Sequence, residues 1–361
     1  SIVAADVVRG LNGSYYYCVV SNGAGNATST RALLTVYYAP SINTQPTDQS
    51  VNVGTKATFT IVANAGNPST TTYKWQYRTS STGTWADCTT TQGTGMTTSS
   101  FTTVATTMGM NGYQYRCIIG NAQYASAATS NAATLTVKRL DITPTVSMTG
   151  YTYGDIKNDP TISGNIGNGT VTYYYNTTNS NSNGTLWSTV TSSTSLNAGT
   201  YYMYAVVSAT TNYNGATTSA VPFVISKRAV TIKPKDASKV YDTLPLTSNV
   251  AEVTAGSLVT GHTATITTTG NITNVGSITN TISTLIIKDA SETDVTANYN
   301  VTKATGTLTV TSAEGVTFDI TLDNNTFEYD GTEKEPAATV KVGSIILEAG
   351  TDYDVSYQNN K

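Results

Sequence analysis

The feature that most constrains this fold is a strand pattern that occurs twice. The stretch "LNGSYYYCVVSN", residues 11–22, matches "MNGYQYRCIIGN", residues 110–121, with the Asn, the Gly, one Tyr, the Cys and the final Asn in register. A closing apolar strand follows each copy, within "RALLTV" and "AATLTV" respectively. Repetition at the spacing of a domain indicates tandem modules.

The second copy ends a longer pattern of strands. Apolar and polar residues alternate in "KATFTIVA", and "YKWQY" places Trp75 with two tyrosines on one strand face. A Trp on the third strand, and Tyr115 two residues before Cys117 on the penultimate strand, are hallmarks of an immunoglobulin sandwich. We therefore expect Trp75, Tyr115 and Cys117 to lie in a core, and Cys18, by register, to point into another. The pattern predicts an all-β chain of tandem immunoglobulin-like β-sandwich modules in an elongated array.

Two segments are similar to known bacterial modules. Residues 39–138 resemble the immunoglobulin-like repeats of large bacterial surface proteins, through "QPTDQSVNVGTKATFTIVA", "YKWQY" and "MNGYQYRC". Ile61 stands where an antibody domain has its first cysteine, so Cys117 lacks the usual partner. The following segment contains "YTYGD" and resembles the MBG-type β-module, which is named for a Tyr-Gly-x motif, here Tyr153, Gly154 and Asp155.

Two further stretches resemble a sister module, the YDG type, which is named for Tyr-Asp-Gly. In "VTIKPKDASKVYDTLPL" Thr243 replaces the Gly, whereas "FDITLDNNTFEYDGTEKEPAATV" contains Tyr329, Asp330 and Gly331. The resemblances divide the chain into five segments. They are the C-terminal remnant of an immunoglobulin-like domain (1–38), a complete immunoglobulin-like module (39–138), an MBG-type module (139–227), a YDG-type module (228–311) and the N-terminal half of a further YDG-type module (312–361).

The two end segments are interpreted as partial modules. One hypothesis is that the chain is a window on a longer repetitive protein. The other is that neighbouring subunits complete each half by lending strands. The halves belong to different module types, which favours the window. The junctions "YYAP", "VKRLDITP", "SKRAVTIKP" and "TSAEGV" are short, which favours a stiff string of modules.

Composition excludes several functions. Charged residues are 11% of the chain and the net charge is −3, so we expect no nucleic-acid partner. No apolar run reaches the roughly 18 residues of a membrane span, so we expect no membrane insertion within this segment. The chain has one His, three Cys and no C-x-x-C spacing, which gives no catalytic constellation. We expect a protein that is not an enzyme and needs no cofactor.

Cys88 and Cys117 are the two cysteines of one predicted module. A disulfide between them would stabilise the fold by about 3–4 kcal/mol on the chain-entropy model. However, Cys88 is predicted on the strand beyond that of Trp75, and two strand spacings of about 4.8 Å exceed the roughly 7 Å limit on the Cα–Cα distance of a disulfide. The pattern favours two buried thiols, with the disulfide as the alternative.

Acidic residues form two loose groups that could hold calcium. Asp289, Glu292 and Asp294 lie in "KDASETDVTANYN", and Asp155 and Asp159 lie in "DIKNDP". Carboxylate oxygens are the ligands that calcium prefers, but neither stretch has the spacing or the Gly of a calcium loop. The alternative is a solvated loop.

Two other candidates depend on a pair and on a single residue. Lys239 near the start of its module and Asn298 near the end could form an isopeptide cross-link in an apolar pocket, and the alternative is an exposed lysine. His262 follows a Gly at a predicted strand start and has no Cys or His nearby, which predicts a surface or turn residue.

These features lead to two functional hypotheses. The first is a structural stalk or fibre segment of a large extracellular protein on the bacterial cell surface, which spaces or displays an adhesive region. The second is an adhesin module that binds carbohydrate or protein through loops and exposed tyrosines, for which the runs 15–17, 173–175 and 201–202 are candidates. The expected partners are a host surface, a glycan, a matrix protein, or copies of the chain itself in a fibre.

Overall fold

The computed structural model describes residues 7–312 and 317–358, and these residues are all-β with a few short 3-10 turns. Residues 1–6 of the first predicted segment, 313–316 of the last predicted junction and 359–361 lie outside the described residues. The chain divides into two compact units. The first comprises Ser1–Val146, Ile162–Tyr173 and Tyr204–Ser219, and the second comprises Ser147–Thr161, Tyr174–Met203 and Ala220–Lys361.

The first unit opens with two small antiparallel sheets, β1 with β4 and β2 with β3. The strands are β1 (Tyr15–Tyr16), β2 (Val19–Asn22), β3 (Gly25–Thr28) and β4 (Ala32–Leu33), after a 3-10 turn at Arg9–Leu11. Cys18 lies between β1 and β2 and is exposed, so the prediction that it points into a core is wrong. The physical reason is that both sheets have two strands and every residue of β2, β3 and β4 is exposed, so these strands enclose no core.

The next part of the first unit is a sandwich of two main sheets. Its strands are β5 (Ser41–Thr44), β6 (Gln49–Asn52), β7 (Thr58–Thr60), β8 (Val62–Asn64), β9 (Thr72–Arg78), β10 (Ala86–Asp87), β11 (Gly93–Thr94), β12 (Ser100–Thr103), β13 (Gln114–Gly120), β14 (Ala128–Thr129) and β15 (Ala133–Lys138), with a 3-10 turn at Met108–Met110. One sheet has the order β10-β9-β13-β15-β6, with β14 also paired to β13, and the other has the order β11-β12-β7. A further pair is β5 with β8.

Four aromatic side chains fill the core of this sandwich. Phe59, Trp75, Phe101 and Tyr115 are fully buried. The Phe59 and Tyr115 rings stack with centroids 4.7 Å apart, and those of Phe101 and Tyr115 are 5.4 Å apart. Such pairs contribute about 0.5–1.5 kcal/mol each beyond their buried area. This sandwich has the sheet arrangement and the buried Trp and Tyr of an immunoglobulin-like domain.

Residues 145–226 are divided between the two units. The strands are β16 (Thr145–Ser147), β17 (Tyr151–Thr152), β18 (Thr161–Ser163), β19 (Val171–Asn176), β20 (Thr185–Leu186), β21 (Gly199–Val207), β22 (Ala216–Thr217) and β23 (Val221–Ser226), with a 3-10 turn at Trp187–Thr189. Within the second unit, β17 pairs in parallel with β23, and the first half of β21 pairs antiparallel to β23. Within the first unit, β22 pairs with the last two residues of β21.

The remainder of the second unit contains two groups of strands. The first group is β24 (Arg228–Pro234), β25 (Ala237–Val240), β26 (Ala251–Gly256), β27 (Thr263–Thr268), β28 (Gly276–Asn280), β29 (Ile282–Lys288), β30 (Tyr299–Lys303) and β31 (Gly306–Thr311), with a 3-10 turn at Thr296–Asn298. Its sheets are β26-β24-β30, β25-β31-β28 and β27-β29, and Ile232, Ile287 and Leu308 are fully buried. The second group is the antiparallel sheet β32-β33-β34, formed by β32 (Phe318–Leu322), β33 (Ala338–Val342) and β34 (Ile345–Ile346).

Candidate functional site

The Tyr-Gly-Asp motif lies where β17 meets residues of the following predicted module. Tyr153 is buried, and its ring centroid lies 6.2 Å from that of His262 and 6.0 Å from that of Tyr299. Gly154 has φ 84°, a left-handed conformation that favours glycine. A Cβ atom at Gly154 would lie 2.2 Å from Cγ2 of Val259, so any side chain there would push this contact apart.

The third motif residue, Asp155, forms an ion pair across the same junction. Nη1 of Arg228 donates to Oδ1 of Asp155 at 2.7 Å. The same guanidinium donates Nε to the Ser257 carbonyl at 2.8 Å and Nη2 to the Ser257 hydroxyl at 2.9 Å. Because Arg228 presents several donors in one rigid plane, a single side chain joins two elements of the second unit. We call the contacts made by Tyr153, Gly154 and Asp155 the motif junction.

Asn298 adds an amide clamp to the motif junction. It is buried at the end of the 3-10 turn, and its Oδ1 accepts the backbone N–H of Ala198 at 2.8 Å. Its Nδ2 donates to Oδ1 of Asn197 at 3.0 Å. An asparagine side chain carries both a donor and an acceptor, so it can hold the Asn197–Ala198 loop from two directions.

His262 lies in a turn directly before β27, closed by its N–H donating to the Val259 carbonyl at 2.9 Å, as the prediction of a turn residue expects, and it is half-buried in this junction. The Val259 N–H donates to the Tyr299 hydroxyl at 3.0 Å, and this hydroxyl lies 2.8 Å from Nδ1 of His262. This hydroxyl has one proton to donate and two acceptor lone pairs, so it can donate to a neutral Nδ1 or accept from a protonated one. Burial lowers the pKa of His262 and outweighs the opposing charge of Asp289, consistent with the neutral form.

The corresponding motif in the next module has different partners. Lys239 Nζ lies 2.5 Å from Oδ1 of Asp242 and also donates to the Leu244 carbonyl. Lys239 and Asn298 therefore have separate partners, and the structure does not bring them together as an isopeptide pair would require.

Thr243 has φ 65°, so a β-branched residue occupies the left-handed position of the motif Gly. The Tyr241 hydroxyl donates to a carboxylate oxygen of Asp352.

The calcium candidates are used within their own loop. Oδ1 of Asp289 accepts the backbone N–H groups of Ser291 and Thr293, at 2.8 and 3.0 Å. Glu292 pairs with Lys288 at 3.0 Å, and Asp294 accepts the N–H of Thr296 at 2.9 Å. Within the described ranges, no three metal-ligating side chains come together.

The other acidic group also has protein partners. Asp159 pairs with Lys157 at 2.5 Å and accepts a hydrogen bond from the indole of Trp187 at 3.1 Å, and Asp155 belongs to the motif junction. Asp155 and Asp159 therefore bind different protein partners and do not share a common site.

Cys88 and Cys117 are buried free thiols in the sandwich core, so the alternative of a disulfide is not formed. Cys117 lies opposite Trp75 in the β13–β9 register, while the Cys88 N–H bonds to the Trp75 carbonyl from the other side. Cys117 on β13 and Cys88, directly after β10, therefore flank the strand of Trp75. Burial raises the pKa of Cys88 to about 12 and that of Cys117 to about 11, so both are protonated and unreactive.

The outward side of the same sheet carries a cationic and aromatic group. Nε and Nη2 of Arg78 donate to Oε1 of Gln114 at 2.8 and 2.5 Å, and the same atoms of Arg116 donate to Oε1 of Gln76 at 3.0 and 2.8 Å. Both guanidinium carbons lie over the Trp85 ring, 4.6 and 4.2 Å from its centroid. Burial and the charge of Arg78 lower the pKa of Arg116. We call Lys74, Gln76, Arg78, Trp85, Gln114 and Arg116 the arginine face.

The tyrosine runs differ in exposure. Tyr15 and Tyr17 are 61% and 56% exposed, whereas each residue of the run 173–175 is half-buried. Tyr175 packs edge-on against Trp187 with centroids 6.0 Å apart, and Tyr201 stacks with Phe223 at 5.7 Å. Most of this tyrosine surface is therefore used in packing within the modules.

The sequence did not identify Arg228, Asn197 or Val259 as junction residues, and it did not identify the arginine face. The sequence nevertheless contains a pattern that points to Arg228 and another that points to the arginine face. Arg228 belongs to the charged "SKR" linker, and the two arginines of the face alternate with core residues in "YKWQYR" and "YQYRC". Alternation places them on the outward face, but it cannot show that they share one indole.

Comparison with known proteins gives structural neighbours alone. No family model matches the chain, and no curated protein matches it. The N-terminal Ig1-2 module of the Drosophila receptor protein tyrosine phosphatase DLAR matches at 16% identity over 52% of this chain and 98% of its own, with a TM-score of 0.21. The titin domains z1z2 in complex with telethonin match at 19% identity over 53% of this chain and 98% of their own, with a TM-score of 0.31. An I-band fragment of titin matches at 12% identity over 76% of this chain and 99% of its own, with a TM-score of 0.28.

TM-scores this low carry no inference about function. The immunoglobulin-like assignment rests on the sheet order and the buried Trp and Tyr of β5–β15. No helix among the described residues is both long and apolar enough to span a bilayer.

Proposed function

We propose that this chain is a structural spacer of tandem β-modules without enzymatic activity. The observation that carries the proposal is the motif junction. Tyr153, Gly154 and Asp155 make their contacts with residues 228–299, by ring packing, close approach and an ion pair. A motif used in this way joins one module to the next.

The physical chemistry of the junction suits a load-bearing role. Arg228 is about one-fifth exposed and Asp155 about half exposed, so their ion pair contributes at most about 1 kcal/mol after solvent screening. The buried amide clamp of Asn298 and the packing of Val259 on Gly154 add contacts that water screens less. Several modest contacts acting together restrict motion between neighbouring modules.

We further propose that this spacer belongs to a large extracellular protein of a bacterial cell surface, where it spaces or displays an adhesive region. The resemblance of residues 39–138, "YTYGD" and "EYDG" to modules of bacterial surface proteins supports this location. The proposed partners are accordingly a host surface, a glycan or a matrix protein.

Small-angle scattering tests the spacer role. A compact chain of 361 residues has a radius of gyration of about 21 Å, and a spacer is expected to exceed this clearly. The double variant Asp155→Ala, Arg228→Ala is expected to broaden the distribution of intramolecular distances, because it removes the ion pair. Lys157→Ala is the matched control, since its partner is Asp159. A compact radius for the wild-type chain would contradict the proposal.

A further inference from the structure

The arginine face concentrates positive charge in an acidic protein. Residues 39–138 contain five Lys and Arg residues against two Asp residues, although the whole chain has a net charge of −3. Three of these cations, Lys74, Arg78 and Arg116, lie on the arginine face together with one carboxylate, Asp87, which pairs with Lys74 at 3.5 Å. Within the described residues, neither arginine forms an ion pair with a carboxylate, because both use neutral glutamine oxygens as acceptors.

These contacts hold the two arginines in place without neutralising them. Gln114 lies opposite Arg78 and Arg116 opposite Gln76 in the β13–β9 register, so each hydrogen-bonded pair spans the two strands. Stacking on Trp85 further restricts both guanidinium groups. A guanidinium that is already ordered loses little conformational entropy when it binds an anion, which makes the arginine face a prepared anion-binding surface.

The complementary charge lies in the last segment of the same chain. Residues 317–335, which we call the acidic segment, contain six carboxylates and one lysine. Asp319, Asp323, Glu328 and Glu335 are exposed, and none of these four forms an ion pair among the described residues. The strand β32 thus presents Asp319 to solvent at the start of a run of acidic residues.

We propose that the arginine face of one chain binds the acidic segment of a second copy. The two surfaces differ, so the contact is heterologous, and a pair of copies retains one free arginine face and one free acidic segment. Association therefore continues head to tail and does not stop at a closed dimer. This inference goes beyond the spacer role and does not depend on the motif junction.

Sedimentation of the full chain as a function of concentration and salt tests the proposal. At about 10 mM salt the chain is expected to self-associate, and at about 1 M salt it is expected to be monomeric, because the Debye length falls from about 30 Å to about 3 Å. A monomer at every concentration in low salt would overturn the proposal.

Variants locate the contact. In Arg78→Gln, Arg116→Gln self-association is expected to weaken about tenfold, because two charges are lost. The control Lys56→Gln, Lys138→Gln removes the same charge from exposed positions of the same sandwich outside the arginine face. Circular dichroism confirms that each variant is folded. Equal weakening by the control would overturn the proposal, because net charge would then be the cause.

Mixing distinguishes a head-to-tail contact from other modes. The variant with a neutralised arginine face keeps its acidic segment, and the variant Asp319→Asn, Asp323→Asn, Glu328→Gln keeps its arginine face. At a concentration where the wild-type chain associates but a tenfold weaker contact does not form, each variant alone is expected to be monomeric, whereas an equimolar mixture is expected to form a dimer that grows no further. A mixture that stays monomeric, or one that forms longer assemblies, would show that the surfaces do not pair as proposed.

Discussion

The amide clamp of Asn298 provides the sharpest test of the junction. Replacing Asn298 by Ala removes the acceptor of the Ala198 N–H and the donor to Asn197. Asn197 is exposed, so water replaces the lost donor at little cost, whereas Ala198 is half-buried and its N–H loses a partner. We expect the loop to open more easily by about 1.4 kcal/mol, which corresponds to about a tenfold faster exchange of the Ala198 amide hydrogen.

Hydrogen exchange of the intact chain measures this effect locally, since exchange reports the opening of individual segments. Asn298→Asp keeps an acceptor oxygen for the Ala198 N–H, so its exchange rate at this amide is expected to lie much closer to wild type. The control is Asn300→Ala, which makes the same substitution at an exposed position of β30. An unchanged Ala198 rate in Asn298→Ala would refute the clamp.

Three further predictions concern strain, an unpartnered hydroxyl and a proton. Thr243→Gly is expected to stabilise its module by about 1 kcal/mol in urea-dependent hydrogen exchange. Thr243 holds a left-handed backbone conformation that costs about 1–2 kcal/mol, and removing this strain outweighs the larger conformational entropy of glycine in the unfolded chain. A loss of stability would contradict this prediction. Tyr115→Phe is expected to stabilise the sandwich in urea-dependent hydrogen exchange, because its buried hydroxyl has no hydrogen-bond partner among the described residues and costs about 1–3 kcal/mol; a loss of stability would show that the hydroxyl is satisfied. Because burial lowers the pKa of His262, its contribution to stability is complete above its ordinary pKa of about 6.5 and is lost as pH falls through the lower pKa of the folded state. We therefore expect the amide hydrogens of the motif junction to exchange faster in mild acid. His262→Asn is expected to remove this pH dependence.

The core of the sandwich was predictable because its signals are local. Alternation along each of three strands places Phe59, Trp75 and Tyr115 on the inward face, and all three are fully buried. The same logic failed at Cys18, because register alone does not supply a second sheet. A strand side chain is buried when another layer covers it, and every residue of β2, β3 and β4 is exposed.

The junction was not predictable, because its partners are distant in sequence. Arg228 and Asp155 are 73 residues apart, and Asn298 and Asn197 are 101 residues apart. Pattern reasoning identified Tyr153, Gly154 and Asp155 as a motif, and it identified Asn298 for a different chemistry. The actual use of these residues depends on how one module meets the next, which strand periodicity does not contain.

The three cysteines give the folded chain a single addressable thiol. Cys18 is exposed, whereas the other two are buried and protonated. A maleimide dye should therefore modify the native protein once, at a defined point, and modify it three times after unfolding. Counting labels by mass over time would then report the unfolding rate of the sandwich directly, in a protein where several modules unfold and a single melting curve would blend them.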